Sequence, residues 1–134
     1  MAQTLTVAIM DAPYEAAAST TAFRIIASAL RKGIDVNVFA YEGAVSLTMK
    51  GQAPHANPVK GTTVEEEDHP TTKDIVSALV ALGAEAPRLT WVNCGLCVDE
   101  RGAGDWIDGV KRGGPADFLK MAEGSSATLV IPTK

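Results

Sequence analysis

The stretch "TLTVAIMDAPYEAAASTTAFRIIASALRKGIDVNVFA", Thr4 to Ala40, decides the fold. Its opening run, Thr4 to Met10, is apolar and β-branched and stops at Asp11-Ala12-Pro13-Tyr14, as a buried strand does, since Pro13 cannot continue a ladder. Ala22, Phe23, Ile26, Ala27 and Leu30 then recur at helical spacing, with Arg31 and Lys32 in the last turn and Gly33 as the stop. A second strand follows around Val36 to Phe39. Strand, helix and strand on short connections predict a right-handed parallel crossover, with Thr4 to Met10 as the first, central strand.

Beyond Ala40 the same alternation resumes after one break. From Gly51 to Thr72, "GQAPHANPVKGTTVEEEDHPTT", three prolines, two glycines, both histidines and the acidic run Glu65 to Asp68 make an irregular loop. A loop of this length inside a compact domain is usually functional or mobile. Helical spacing returns through Ile75, Val76, Leu79, Val80 and Leu82 and ends at Gly83. "RLTWVNC" then reads as a third strand delivering Cys94 at its end, Gly95 to Gly114 as a loop, Pro115 to Glu123 as a helix, and "ATLVIP" as a last strand. The expectation is one α/β domain over residues 1–134, built on a doubly covered, mostly parallel sheet of four or five strands.

Composition agrees with that class and excludes others. The chain has 134 residues, 46% of them hydrophobic but only 5% aromatic, which suits close packing of helices on a sheet. Its net charge is −4 and the basic residues are scattered, so a nucleic-acid partner is not expected. No apolar run approaches the roughly 20 residues that span a bilayer, and no leader pattern opens the chain. A cytoplasmic protein without a membrane partner is the expectation.

Both cysteines lie in "WVNCGLCVDERG", Trp91 to Gly102. In an open parallel sheet, sites lie outside the carboxyl ends of the strands, and both "DAPY" and "NCGLC" fall there. A disulfide between Cys94 and Cys97 would close so short a loop that it stabilises little. Zinc would need two more ligands, and His55 and His69 stand fourteen apart in the irregular loop, so no metal is expected. A thioredoxin-like couple would open a helix after the first strand, whereas this pair follows the third, with Gly102 and Gly104 interrupting any helix there. The residues alone leave nucleophilic sulfur chemistry, a dithiol couple and inert core thiols open. A thiolate at a strand end near helix N-termini is favoured, Arg101 would add positive charge, and Asp99 and Glu100 would oppose it. Tyr14 would line the same crevice or pack the helix entry, and His55 would lean over it as a lid.

"CGLCVDERG", together with "DAPYEAAASTTAFRIIASALRKG", "EGAVSLTMKGQ" and "WIDGVKRGGPADFLKMAEGS", resembles the DsrE/TusD sulfur-relay family, in particular its YchN-like branch, in the same order over nearly the whole chain. The resemblance implies a three-layer α/β/α sandwich, the DsrEFH-like fold. It also implies a homo-oligomer, trimer or hexamer, without a cofactor. Cys94 matches the cysteine that carries sulfane sulfur as a persulfide between donor and acceptor proteins, and Arg101 and Gly102 match the pair that follows it. Cys97 matches a second cysteine of the branch, a candidate for resolving the persulfide as a disulfide. Asn93, Gly95 and Leu96 would then shape the mouth. The loop from Gln52 to Thr72 departs from the branch by its length and acidity. The competing expectations are a non-catalytic assembly protein binding through that loop, or a dithiol redox or metal-sensing module.

Overall fold

The structure is a computed structural model and describes residues 3–68 and 70–133. In chain order its elements are β1 (Thr4–Ile9), α1 (Ala18–Arg31), β2 (Asp35–Ala40), a 3-10 helix (Glu42–Thr48), α2 (Val64–Glu67), α3 (Thr72–Leu82), β3 (Leu89–Cys94), α4 (Gly95–Arg101), β4 (Val110–Gly113), α5 (Pro115–Glu123) and β5 (Ala127–Ile131). The strands form one sheet in the order β4-β3-β2-β1-β5. Every pairing is parallel, with Val7 beside Val38 and Val38 beside Trp91. Five strands, within the four or five expected, therefore include one beyond the four that the sequence pattern offers. The additional one is β4, whose four residues "VKRG" carry no alternating apolar signal. β2 occupies the middle of the sheet, with β1 beside it, because β5 returns to the far side of β1.

Alternation along the strands sorts the core into two layers. Val7, Ile9, Val36, Val38 and Trp91 pack under α1 and α3, against Phe23, Ile26 and Leu30 of the first helix and Val76 and Leu79 of the second. Full burial of a side chain the size of Ile26 contributes about 1.5–3 kcal/mol before entropy is counted, so this layer holds the fold together. On the opposite face Phe39, Val92 and Cys94 meet Val45, Cys97, Val98 and Ala103, with Phe118 of α5 stacked on Phe39 at 5.4 Å. That second layer is thin. α5 buries none of its residues, and the edge strand β5 leaves Leu129 and Val130 exposed.

The break at Gly51 to Thr72 is real but anchored. Gln52 donates from Nε2 to the Ser46 carbonyl at 2.8 Å and accepts from the Lys73 amide at 2.9 Å, so one side chain ties the start of the loop to its end. Inside it, the acidic run forms α2. A capping box explains this: Thr63 Oγ1 accepts from the Glu66 amide while the Glu66 carboxylate accepts from the Thr63 amide.

Candidate functional site

Cys94 is the last residue of β3 and the N-cap of α4, so strand and helix meet at its Cα. The reading of Gly95 to Gly114 as loop is corrected here. Residues Gly95 to Arg101 turn into a helix, and Gly102, at φ +61°, ends it by taking the left-handed conformation that glycine accepts without strain. At seven residues α4 has only a small dipole to offer the sulfur. Cys94 and Cys97 are both free thiols and both buried. They are one helical turn apart and lie in the same buried cluster.

The second thiol is held from outside its helix. The Glu42 amide donates to Cys97 Sγ at 3.1 Å, and Glu42 reaches this position with φ at +51°. Burial pushes the Cys97 thiol above its ordinary value. The Glu42 amide opposes that rise, and the neighbouring Cys94 sulfur and Glu42 carboxylate reinforce it. Cys97 therefore rests as a thiol at neutral pH.

Two arginines stand beside the cysteine-bearing turn. Arg101 pairs with the Glu42 carboxylate at 3.0 Å and the Glu100 carboxylate at 3.5 Å and donates to the Cys97 carbonyl at 3.4 Å, so it braces the Glu42 turn. Arg112, from β4, lies instead across Gly95. A Cβ built on that glycine would stand 2.8 Å from Cζ, Nε and Nη2 alike, so the guanidinium lies flat on the backbone beside Cys94. Asp99 holds it in a two-pronged pair, at 3.0 Å and 2.7 Å. The guanidinium keeps the Asp99 carboxyl below its ordinary value, and Asp99, then Cys94, favour the charged form of Arg112. Arg112 was hidden in the sequence because β4 was: register places Arg112 beside Asn93 and Gly113 beside Cys94. Glu42 likewise acts through its backbone, which no motif announces.

The other expected residues divide. Gly95 is buried against Arg112, and Leu96, next to it, is 70% exposed. Asn93 does not. As the neighbour of Cys94 in a strand it points into the opposite layer, where it accepts from Trp91 Nε1 at 3.2 Å and donates to Thr48 Oγ1 at 3.0 Å. It is a fully buried structural link. Tyr14, at φ +66°, turns to the long loop: its hydroxyl donates to the Pro70 carbonyl at 3.3 Å and its ring meets His55 edge-on at 6.5 Å. His55 accordingly packs on Tyr14. His69, weighed as a metal ligand, lies outside the described residues. Among the described residues no helix is long and apolar enough to cross a membrane.

Residues 3–131 match the family model described as the DsrE/DsrF-like family. An uncharacterized protein of Methanopyrus kandleri, MK0008, is 29% identical over 123 residues, covering 90% of this chain and 88% of the relative. Among solved structures, the ychN protein from E. coli superposes with a TM-score of 0.67 at 22% identity, covering 97% of this chain and 99% of that one. MTH1491 from Methanobacterium thermoautotrophicum, a protein of unknown function, gives a TM-score of 0.66 at 12% identity, covering 96% and 99%. At these identities the two structures speak for the fold alone, and both agree with the parallel, helix-covered sheet.

Proposed function

The chain belongs to the DsrE/DsrF-like family, and on that premise we propose that Cys94 carries sulfane sulfur as a persulfide and passes it to an acceptor. The observation that carries this reading is the place of Cys94 at the carboxyl end of a parallel strand, in one buried cluster with the free Cys97 thiol a helical turn away. A carrier needs one nucleophilic sulfur and a partner able to give or take a proton.

In the first step the Cys94 thiolate attacks the outer sulfur of a donor persulfide R–S–SH. A new sulfur–sulfur bond forms on Cys94, the donor bond breaks with its electron pair on R–S⁻, and Cys94–S–SH remains. An acceptor thiolate then removes the outer sulfur by the same exchange and regenerates the Cys94 thiolate. Alternatively Cys97, once deprotonated, attacks the inner sulfur, forming the Cys94–Cys97 disulfide and releasing HS⁻. No cofactor enters either route. The reading places the exchange in the cytoplasm, where reduced thiol pools keep both cysteines free.

Assembly into a trimer or hexamer is part of the same proposal. β5 is an edge strand whose Leu129 and Val130 are 39% and 52% exposed, and Leu119 of α5 is exposed beside that thin layer, an apolar surface that a second copy would cover. Light scattering on the purified protein tests it, and a monomer at all concentrations would refute it. For the carrier itself, the chain is incubated with polysulfide and its intact mass measured. Gain of one sulfur atom on Cys94, kept in Cys97→Ser and lost in Cys94→Ser, is the expected result. No gain with any sulfane donor, from a protein whose thiols are free, would end the reading.

A further inference from the structure

We propose that Arg112, held flat over Gly95 by Asp99, is the cation that receives anionic sulfur at Cys94, the attacking thiolate and the persulfide alike. The proposal rests on the carrier reading only for the identity of the cargo. The placement of charge follows from the geometry.

A persulfide is more acidic than a thiol, so the loaded group is an anion at neutral pH and its position needs a counter-charge that does not block it. Arg101 is shared between two carboxylates, Glu42 and Glu100, whereas Arg112 answers to one, Asp99. Arg112 has its charge in place and donors to spare. Asp99 takes one N–H from each terminal nitrogen, and a guanidinium carries five. Gly95 is what lets it approach, since a side chain there would occupy the space of the guanidinium. The absence of a Cβ therefore sets a planar, delocalised cation directly on the peptide that follows the sulfur. Asp99 acts in two ways: it orients Arg112 and it competes with incoming sulfur for the same charge. The device admits anionic sulfur by letting it share a guanidinium already half neutralised.

The titratable groups packed around the end of β3 can be named and tested. They are Cys97 and Asp99 on α4, Arg112 on β4, Glu42 acting through Cys97 and itself paired with Arg101, Asp117 of α5 against Gly113, and Tyr41 in the same apolar cluster. In a Cys97→Ser background a single thiol titrates, and its rate of alkylation by iodoacetamide is followed against pH. Arg112→Met is expected to move the Cys94 profile up, as loss of a nearby opposite charge does. Asp99→Asn is expected to move it down, and Gly95→Ala to move it up by displacing the guanidinium without deleting it. Lys111→Met, which removes a neighbouring exposed charge, is expected to leave it in place. Each shift shrinks at high salt. Circular dichroism establishes that each variant is folded, and Asp99→Asn keeps the test open if Arg112→Met does not fold. Profiles unmoved by both Arg112→Met and Asp99→Asn would overturn the proposal. Polysulfide loading is measured in parallel on the same proteins. Shifted profiles with no loading in the parent would support the cation and sink the carrier reading; normal loading with unmoved profiles would do the reverse.

Discussion

Glu42 donates its backbone amide to the sulfur of Cys97 at 3.1 Å from a left-handed backbone conformation, φ +51°. That conformation costs an L-residue about 1–2 kcal/mol, and glycine escapes it at a smaller entropic cost. The Arg101 pair that Glu42 would lose is exposed and worth about 0–1 kcal/mol. Glu42→Gly is therefore expected to raise stability by about 0.5 kcal/mol, a Tm higher by about 2 °C, while keeping the amide on Cys97. Thermal unfolding measures it, and a clear fall in Tm would mean that the Arg101–Glu42 pair outweighs the strain.

The two thiols should not react alike. Burial is the main reason the Cys97 thiol is raised, and the Cys94 sulfur and Glu42 carboxylate add to it, so Cys97 stays protonated through neutral pH and ionises only above the ordinary thiol value of 9.0. With a limiting amount of iodoacetamide at pH 7.5, the label is expected on Cys94. Both residues fall in the tryptic peptide from Leu89 to Arg101, so tandem mass spectrometry of that one peptide places the label. Label mainly on Cys97 would reverse the assignment of carrier and partner. The sign also fixes a stability trend: the folded state resists ionising Cys97, so stability falls as pH rises past the unfolded thiol value.

Asn93 and Cys94 are adjacent in sequence but occupy opposite layers. Asn93→Ala removes the acceptor of the Trp91 indole N–H and the donor to Thr48, deep in the core, and is expected to cost about 2–4 kcal/mol. Alkylation of Cys94 in the folded variant is expected to keep its parent pH profile, since nothing on the Cys94 side changes. A shifted profile at near-normal stability would put Asn93 back at the mouth.

That pair also marks the limit of what the chain discloses about itself. Strong periodicity made β1, α1, β2, α3 and β3 legible, because Val7, Ile26, Val38 and Trp91 repeat at spacings only a strand or a helix buries on one side. Proline at the first position and an acidic first turn made α5 legible. What was hidden is short or acts through the backbone. β4 has four residues and one apolar side chain, so Arg112 fell within the segment read as loop, with nothing to mark it as the neighbour of Gly95. α4 begins with glycine and ends with another, a composition that reads as loop until Gly102 is seen at its C-terminus. Arg101 was chosen for its nearness in sequence to Cys94, but one further turn of helix carries it to Glu42. Side-chain direction at Asn93 follows from strand alternation alone, and the nearness of Cys94 in sequence masked it.

Two glycines beside the site should answer differently to the same substitution. At Gly43 a Cβ would stand 2.8 Å from the Ala12 Cβ and 2.9 Å from the Ala12 amide nitrogen, and neither neighbour can swing away, because both belong to the chain leaving β1. Gly43→Ala is therefore expected to cost about 1–3 kcal/mol. It would also shift the adjacent Glu42 amide off Cys97, removing the influence that opposes the rise in that thiol. At Gly95 the new methyl meets only the tip of the Arg112 side chain, which can rotate aside, and alanine is the better helix former by about 1 kcal/mol. Gly95→Ala is expected to leave Tm unchanged or slightly raised while it alters the Cys94 profile. Thermal melts of the two variants side by side decide it. Equal losses would mean that Arg112 is fixed in place as firmly as backbone, and a Gly43→Ala protein as stable as the parent would mean that the turn after β2 yields freely.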